Sequence, residues 1–500
     1  MKKLAILFIA ATMALAAADA QAIDFKIRGQ WIMAFDYGEH GAFTGGNGMT
    51  GYKKGNEDNF EARQRLRLQL DAVASENLSG SVIFEMGDQI WGQSATGGAL
   101  GADGTVVEVK NAWLDWMVPD TDIKVRMGLQ NLTLPTKAGN SSVAGNLDVA
   151  GIVASWQFSE TVGLSALWLR PFNDNYSAEG NTNYLDNMDI WGLTLPVRLE
   201  GFEMTPWVLY GIRGKNTFNG TQIWNDGNPM TSMGAYPFGM TAAGARGFTD
   251  LDTDKTYGSL FWAGLPVAIT AFDPWNIEFE LNYGYVEGMG RYDALERGVD
   301  PVRGSTQRQG WLAKALVEYK TDWGRPGIFG WYGSGDDGDI KNGSERLPSL
   351  RANGMFSSVM GDDVHYGGSL QDQKMTYAGT WGLGLQVADV SFMEDLKHTF
   401  RVLYWGGTNS PSMVKYATTR TDWNYTNDYE GIYLTTNDGL LEFNINSVYQ
   451  VYDNFSIGLW LGYIANLMDS GTWQDGHAYL GDSYSKQDIW NVDLTFAYTF

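Results

Sequence analysis

The last eleven residues of the chain alternate between two kinds of side chain without exception. One parity is apolar and comprises Trp490, Val492, Leu494, Phe496, Tyr498 and Phe500, while the other comprises Asn491, Asp493, Thr495, Ala497 and Thr499. Because successive side chains of a β-strand point to opposite faces, the segment predicts a strand with one apolar and one polar face. Such a strand is typical of a transmembrane β-barrel, with lipid outside and water inside. The alternative is the last strand of a soluble β-sandwich.

The beginning of the chain indicates export. Lys2 and Lys3 precede an apolar run over residues 4–18, and the small-residue site Ala20-Gln21-Ala22 follows. This order predicts a secretory signal peptide over residues 1–22 and a mature chain over residues 23–500. No later window holds eighteen consecutive apolar residues, so a membrane-spanning part would have to be a closed barrel.

Composition excludes several classes of protein. The chain has no cysteine and a formal net charge of −23, together with 62 glycines, 20 tryptophans and 25 tyrosines. The lack of cysteine excludes a disulfide framework, and the acidity argues against a nucleic-acid partner, whose phosphates it would repel. Abundant amphipathic aromatics fit girdles at two membrane interfaces.

Between its two ends the chain repeats one pattern. Two alternating stretches enclose a short turn, and a longer Gly/Asn/Asp-rich loop follows. The pattern predicts an all-β, antiparallel transmembrane β-barrel of about eighteen strands, with sixteen left open. Short periplasmic turns are expected near residues 75–77, 119–120, 159–161, 200–201, 272–274, 322–326, 389–397 and 453–454, and long extracellular loops between them. Residues 132–147 then form the third outer loop, for which folding into the pore and ordinary exposure are both open.

One strand breaks its alternation. Between Thr105 and Trp116 the parity changes near Lys110, which indicates a β-bulge or a misplaced strand start.

The densest charged motif is the run Arg63-Gln64-Arg65-Leu66-Arg67. Its spacing places three guanidiniums on one strand face, about 7 Å apart. An arginine facing the bilayer midplane costs roughly 2–4 kcal/mol, so these side chains are expected to face a water-filled lumen. The predicted basic pore wall comprises Lys26, Arg28, Arg63, Arg65, Arg67, Lys124 and Arg126.

Later strands carry carboxylates on the same parity. The predicted acidic pore wall comprises Glu278, Glu280, Glu442 and Asp493, the last on the strand that closes against the first. Opposite charges on two walls would create a transverse field that filters ions and orients dipolar solutes. The alternative is that these charges only solvate a wide lumen.

Enzymatic and metal sites find little support. The histidines His40, His365, His398 and His477 have no spacing that suggests a metal cluster or a serine–histidine pair. Asp336, Asp337 and Asp339 resemble a calcium loop, but Lys341 stands where an EF-hand needs an oxygen ligand. We expect no cofactor, and loop-bound calcium is left open.

Aromatic residues suggest membrane interfaces more than a sugar-binding path. The outward or strand-end aromatics are expected to be Tyr283, Tyr285, Trp460, Tyr463, Trp490, Tyr498 and Phe500. Trp113 shares the parity of Asn111 and Asp115, so it is expected to face the lumen and is the candidate for stacking on a sugar.

Three segments resemble a known family. "ARQRLRLQLDAVASENLSGSVIFEMGDQIWG" at residues 62–92, "DWMVPDTDIKVRMGLQ" at 115–130 and "DVAGIVASW" at 148–156 resemble the outer-membrane homotrimeric porins of sulfate-reducing, Desulfovibrio-type bacteria. The resemblance is strong over the first third of the chain. It implies a trimer of barrels that passes small hydrophilic solutes passively, without catalytic residues. It also implies that Phe500 is the signal read by the barrel assembly machinery.

Together these observations predict a Gram-negative outer-membrane porin in contact with outer-membrane lipid and lipopolysaccharide. Its charged lumen would filter small hydrophilic solutes by size and charge. A channel specific for a sugar or an anion is the first alternative. A barrel enzyme and a plugged structural barrel are the others.

Overall fold

The structure is a computed structural model, and its sheet closes on itself. It describes residues 23–39, 44–46, 58–101, 107–173, 187–214, 255–296, 300–351, 356–357, 377–416, 426–427, 431–475, 484–486 and 488–500. The predicted signal peptide lies outside the described residues. The first strand pairs antiparallel with the last, from Gln30 opposite Thr499 to Gly38 opposite Asn491. The predicted all-β, closed antiparallel barrel is therefore confirmed.

Eighteen strands form the wall, each antiparallel to its neighbours. The first nine are β1 (Asp24–Glu39), β2 (Asp58–Ser75), β3 (Leu78–Ile90), β4 (Val107–Met117), β5 (Ile123–Leu132), β6 (Leu147–Gln157), β7 (Gly163–Asn173), β8 (Asn187–Thr194 and Val197–Leu199) and β9 (Phe202–Met204 and Trp207–Gly214). The others are β10 (Tyr257–Ile269), β11 (Trp275–Val286), β12 (Arg308–Tyr319), β13 (Arg325–Gly333), β14 (Thr380–Met393), β15 (Leu396–Gly407), β16 (Gly439–Tyr452), β17 (Phe455–Asn466) and β18 (Ile489–Thr499).

Two strands are interrupted by proline. Pro196 divides β8 and Pro206 divides β9, and proline has no N–H to give to the ladder. The two halves of each strand run in the same direction, because β8 and β9 pair on both sides of the prolines. Val197–Leu199 pairs with Phe202–Met204 on the turn side, and the segment before Pro196 pairs with the segment after Pro206 on the loop side. The twenty hydrogen-bonded segments are thus eighteen wall strands, which confirms the predicted number over sixteen.

Each of the eight predicted short turns falls at the connection between two neighbouring strands at one end of the barrel, but the one predicted at 389–397 is confined to residues 394–395, because β14 ends at Met393 and β15 begins at Leu396. The β-bulge predicted near Lys110 is also confirmed. Asn111 pairs with Ile83 and Val109 with Phe84, so Lys110 is the extra residue.

The remaining elements lie in the loops. The strand Thr44–Gly46 pairs with Tyr484–Lys486, Arg291–Glu296 with Asp300–Ser305, and Thr426–Asn427 with Gly431–Ile432. A 3-10 helix covers Pro411–Tyr416 and an α-helix covers Ser470–Asp475. Among the described residues, no helix combines the length and apolarity needed to cross a membrane.

The outer face is apolar and bears aromatic rings at two levels. On β11, Trp275 and Tyr283 are both exposed and stand eight residues apart. At about 3.4 Å per residue and a tilt near 40°, this spacing gives a height of about 21 Å, close to the hydrocarbon band of an outer-membrane barrel. Tyr283, Tyr463, Tyr498 and Phe500 are exposed on this face, as expected. The prediction for Trp460 is wrong, because that ring points inward opposite Asp493 and is buried.

The inner face differs from the wholly polar wall expected from sequence. Toward the loops its side chains are largely apolar and buried, including Leu169, Ile190, Leu209, Leu260, Trp262, Leu312, Phe329, Trp331, Leu403, Trp405, Leu440 and Ile464. Loop residues such as Val143, Leu347 and Met413 pack against them. Inward-folded loops therefore fill part of the barrel with an apolar core, and the polar lumen is confined to the rest.

Candidate permeation pathway

The predicted basic residues all lie on the inner faces of β1, β2 and β5. Arg63 and Arg65 stand opposite Ala34 and Ile32, which are fully buried, while Trp31, next to Ile32 on the opposite parity, is exposed on the outer face. Leu66, Leu68 and Leu70 take the outward parity. The alternation seen in the sequence therefore places the guanidiniums inside the barrel, as predicted.

The expected ladder of purely positive charge is corrected by the structure. Each cation of this wall has a carboxylate within ion-pair distance. The pairs are Lys26–Asp24, Arg28–Asp71, Arg63–Glu61, Arg65–Asp88, Arg67–Glu85, Lys124–Asp115 and Arg126–Asp115. Asp24 and Glu61 lie two residues from their cations on the same strand, whereas the other carboxylates come from neighbouring strands. Cross-strand pairing cannot be read from one strand's spacing.

Near the short-turn end, two cations nevertheless reach farther into the lumen than their partners, while Lys26 and its partner Asp24 are equally exposed at 65% and 67%. The side chains of Arg28 and Lys124 are 65% and 49% exposed, against 12% for Asp71 and 17% for Asp115. Ser81 and Gln69 donate hydrogen bonds to Asp71 at 2.6 and 2.7 Å, which hold this carboxylate against the wall. A solute in this part of the lumen therefore meets positive charge first.

Arg28, Asp71, Ser81 and Asp115 belong to the lining of a recess of about 320 Å³ between β1 and β5. Trp113 lines it, so its predicted lumen orientation agrees with the structure. The guanidinium of Arg126 stands 4.7 Å from the centre of that ring and makes two 2.7 Å hydrogen bonds to Asp115. The recess thus combines exposed cationic side chains with one aromatic face.

The loop between β5 and β6, residues 133–146, folds into the barrel. The Lys137 N–H and the Thr136 hydroxyl donate to one carboxylate oxygen of Glu280, at 2.8 and 2.7 Å. The Ala138 N–H donates to Glu278 at 2.9 Å. Glu278 and Glu280 belong to β11, six strands away from β5 around the wall, so loop 133–146 crosses the lumen. Of the two readings left open for residues 132–147, the structure supports the inward one.

A buried cation joins the same contact. The Lys314 ammonium on β12 lies 3.2 Å from Glu280 and donates to the Asn140 carbonyl at 2.7 Å. Both ionic side chains are fully buried, so the pair depends on its additional hydrogen bonds. Trp207 on β9 donates to the Pro135 carbonyl at 3.1 Å and supports the start of loop 133–146.

A second inward loop lies between β13 and β14 and meets the first; its described residues are 334–351, 356–357 and 377–379, called loop 334–379 below. The Leu350 N–H donates to the Val143 carbonyl at 2.8 Å, and the Gly145 N–H donates to the Arg351 carbonyl at 2.7 Å. Arg308 donates to the Arg346 and Leu347 carbonyls. The two loops therefore form one hydrogen-bonded bar across the lumen.

The predicted acidic pore wall is corrected as well. Glu280, Glu442 and Asp493 do face inward, but loops and neighbouring strands bury them almost completely. Glu442 accepts hydrogen bonds from Ser357 of loop 334–379 at 2.6 Å and from Trp405 at 3.1 Å. Asp493 lies beside Asp36 on β1. Glu280 and Glu442 thus hold loops in place and are not free pore charges. Glu278 also holds loop 133–146, but it is half-buried and lines a cavity of about 340 Å³.

Sequence reasoning missed the residues that hold the bar from the opposite wall. Lys314, Trp207 and Arg308 on the wall, and Ser357 in a loop, carry no local motif, and their partners lie between 34 and 178 residues away. The inward parity of Lys314 on a strand with Glu318 was the one available signal.

The acidic turn of loop 334–379 is internally bonded. Asp336 accepts from Ser344 at 2.6 Å and from Tyr433 at 2.8 Å, and burial raises the pKa of its carboxyl. Burial also raises the pKa of Glu345 to about 7, although the Asp337 N–H donates to it at 3.1 Å. Among described residues, no group of three or more histidine, aspartate or glutamate side chains is arranged to hold a metal ion.

One histidine does meet a serine. His398 Nδ1 on β15 lies 2.8 Å from Ser447 Oγ on β16, a contact that sequence spacing did not suggest. The pair is on the outer face close to the short turns, beside Phe392 and Phe400. No described carboxylate hydrogen-bonds to this imidazole, so the acid of a catalytic triad has no counterpart in the described part of the chain.

Phe500 extends the closing seam of the barrel. Its N–H donates to the Gly29 carbonyl at 3.0 Å, and the Gly29 N–H donates to its carbonyl at 2.8 Å. The ring lies on the outer face, 5.6 Å from that of Tyr498.

Comparison with known proteins supports the fold. No protein-family model and no curated protein matches the chain. Among solved structures, Pseudomonas aeruginosa OccK8 (OprE) is similar with a TM-score of 0.50 and 10% identity, over 95% of this chain and 98% of that one. The outer membrane protein OpdK from the same organism has a TM-score of 0.49 and 10% identity, over 95% and 98% of the two chains. At this identity the likeness to OccK8 supports the barrel architecture.

Proposed function

We propose that this protein is an outer-membrane porin, a water-filled channel for passive diffusion of small hydrophilic solutes and ions. A closed barrel with an apolar exterior requires a membrane, and two aromatic levels about 21 Å apart fit the outer membrane of a Gram-negative bacterium. The bar formed by loops 133–146 and 334–379 supplies the size limit. No catalytic group is required by this role.

The proposal that the lumen filters ions by charge rests on one observation: on the inner wall of β1–β5, several cationic side chains are more exposed to the lumen than the carboxylates they pair with. Arg28 and Lys124 extend into the lumen while Asp71 and Asp115 stay against the wall, and Lys26 is as exposed as its partner Asp24. Fixed positive charge at a constriction raises the local concentration of anions and repels cations. We infer a modest preference for anions, set at the short-turn end below the bar.

Planar-bilayer recording under a salt gradient tests both the channel activity and the preference for anions. The wild type is expected to give discrete conductance steps and a reversal potential on the anion side. The double variant Lys26→Gln/Lys124→Gln should move that potential toward cations. The control Lys320→Gln removes a lysine that is 44% exposed, close to the 49% of Lys124, from a short turn where it pairs with Asp273, and should leave the potential unchanged.

Two results would count against the proposal. An absence of ion-conducting steps would refute the channel itself. An unchanged reversal potential in the double variant would mean that the lysines only solvate the lumen. Liposome swelling with solutes of graded size then gives the exclusion limit independently of charge.

A solute-specific channel is the second candidate. The ring of Trp113 beside Arg126 and Arg28 would suit an anion with a planar apolar part. Conductance that one such anion blocks at low concentration, with recovery in Trp113→Ala, would favour this role over general diffusion.

Several partners belong to the same proposal. The resemblance to homotrimeric porins suggests three barrels per assembly, which would give conductance steps in threes. Outer-membrane lipid and lipopolysaccharide would surround the assembly, and the barrel assembly machinery would read Phe500. No cofactor is proposed, and none of the loop carboxylates is assigned a calcium ion.

A further inference from the structure

A second recess lies on the wall of the lumen that faces the recess between β1 and β5. It is a cavity of about 340 Å³ on the inner faces of β11–β15. Because eighteen strands close the ring, these strands lie opposite β1–β5. Asn140 of loop 133–146 and Phe356 of loop 334–379 line the cavity on the loop side, and Asn276 at the start of β11 lines it on the turn side. The cavity thus lies between the bar and the short-turn end of the barrel.

Opposite charges stand at the two ends of a short hydrogen-bonded chain in this cavity. Gln386 donates to Glu318 at 2.9 Å, and Arg401 donates to the side-chain oxygen of Gln386 at 3.2 Å. One amide group therefore separates the carboxylate from the guanidinium, and the two lie within about 8 Å of each other. Asn276 donates to Glu318 at 3.1 Å and to Glu278 at 3.2 Å, so a second carboxylate stands beside the first.

Both ends of this chain are held in place by further contacts. Arg401 donates to the Phe356 carbonyl at 3.4 Å, and its guanidinium lies 5.9 Å from the centre of the Phe356 ring. Glu278 accepts from the Ala138 N–H at 2.9 Å. Charged groups that are already held in position lose little conformational freedom when a solute arrives, which lowers the cost of binding.

The remaining charges leave a small excess of negative charge in the cavity. Arg325 forms a 2.9 Å ion pair with Asp389, and its Nε lies 3.9 Å from Glu318. In the lining as a whole, three carboxylates accompany two guanidiniums. Excess negative charge on β11 and β12, with a guanidinium on β15, favours a solute that carries one positive and one negative group.

The separation of these charges fits a short peptide. An extended chain advances about 3.3–3.6 Å per residue, so the terminal ammonium and carboxylate of a dipeptide stand roughly 6–7 Å apart. In a single amino acid the two groups are only about 3 Å apart and reach one end of the chain. A volume of about 340 Å³ lies in the lower range of small-molecule sites, and Asn140 and Thr399 in the lining offer hydrogen bonds to a peptide group.

We propose that this cavity, which we call the dipolar site, binds short zwitterionic peptides, with the ammonium toward Glu278 and Glu318 and the carboxylate toward Arg401. The inference rests on the proposed channel and names a class of solute that it passes. Such a site raises the concentration of its solute beside the bar, while its affinity is low enough to release the solute again. A solute with a single charge would meet an opposing charge at one end of the site.

Interruption of single-channel current by dialanine tests the class of solute. Recordings in about 0.1 M KCl keep the Debye length near 10 Å, so that salt does not screen the charges of the site. Dialanine should interrupt the current. N-acetyl-dialanine, which lacks the ammonium, dialanine amide, which lacks the carboxylate, and free alanine should each bind about tenfold more weakly, as expected when one charge-assisted hydrogen bond is lost.

Substitutions at the two ends of the chain test the placement. Glu318→Gln and Arg401→Gln keep hydrogen-bonding side chains and remove one charge each, so each should weaken dialanine binding about tenfold. Glu278→Gln is the milder variant, because its amide oxygen still accepts from the Ala138 N–H, and it should weaken binding in the same direction. Conductance steps in KCl without peptide verify that each variant is a folded channel.

An ion pair on the outer face supplies the matched controls. Arg170 and Asp189 lie 2.8 Å apart, on the parity opposite to that of the buried, inward-facing Leu169 and Ile190. Arg170→Gln and Asp189→Asn remove the same two kinds of charge where no solute in the lumen reaches them. Both variants should leave the binding of dialanine unchanged.

Three outcomes would overturn the inference while the channel stands. The first is a wild-type current that dialanine does not interrupt. The second is binding of either blocked peptide as tight as that of dialanine, which would indicate a site for a single charge. The third is unchanged affinity in all three variants of the dipolar site, which would place binding elsewhere in the lumen. An absence of conductance steps in the wild type would instead refute the channel itself.

Discussion

Removing the carboxylate of Glu280 is expected to release loop 133–146 from the wall and widen the pore. In Glu280→Ala, the hydrogen bonds from Thr136 and the Lys137 N–H are lost, and Lys314 is left buried beside an apolar side chain. Hydrogen bonds to a charged group contribute about 1.5–3 kcal/mol each, and leaving one member of a buried ion pair alone costs about 3–5 kcal/mol.

These contributions overlap, because both reflect the same buried charge, so about 3–5 kcal/mol is the expected loss for the docked loop. A loss of about 3 kcal/mol lowers the ratio of docked to released loop by about 150-fold. The contacts of Ala138 with Glu278 and of Val143 with Leu350 remain, so release should be frequent but incomplete.

Single-channel recording measures this directly. The variant should show larger mean conductance and flicker between two levels, while the wild type stays at one. Adding Lys314→Met should reduce the flicker, because it removes the unpaired buried charge. Glu203→Ala is the control, since Glu203 is half exposed and its ion pair with Lys137 is worth about 0–1 kcal/mol. If Glu280→Ala and Glu203→Ala gave the same conductance and noise, the loop would not depend on this contact and the reasoning would be refuted.

Three further predictions concern other parts of the molecule. Ser357→Ala removes a hydroxyl that donates to the buried Glu442, so unfolding should require about 1–3 kcal/mol less, whereas Ser412→Ala at an exposed contact should change denaturant midpoints little. The raised pKa of Glu345 means that its contribution to the stability of the acidic turn is present below its usual pKa of 4.5 and is lost as pH rises through about 7. Proteolysis of this turn should therefore accelerate between pH 5 and about 8, and Glu345→Gln should abolish that dependence. Deleting Phe500 removes two backbone hydrogen bonds at the closing seam, so we expect less folded barrel in outer-membrane fractions; an unchanged yield would contradict both the seam and the assembly-signal reading.

Alternation along single strands determined the architecture from sequence. The odd-even sorting of Arg63, Arg65 and Arg67 against Leu66 and Leu68 predicted the inner face, and glycine-rich and polar breaks predicted the turns and the eighteen strands. Even the bulge at Lys110 was visible, because one inserted residue reverses the parity of all that follow. These features are local, since the direction of a side chain in a strand depends on its position alone.

The site itself was decided by contacts between distant parts of the chain. Glu278, Glu280 and Glu442 were correctly expected inside, yet their role as acceptors for inward loops depends on Thr136, Ala138 and Ser357, which come from other parts of the sequence. Period-two spacing indicates which face a carboxylate takes, but not whether water or a loop will cover that face. Only the closed barrel brings the loop after β5 within reach of β11. Because of that closure, carboxylates expected to line the pore instead bind the loop that narrows it.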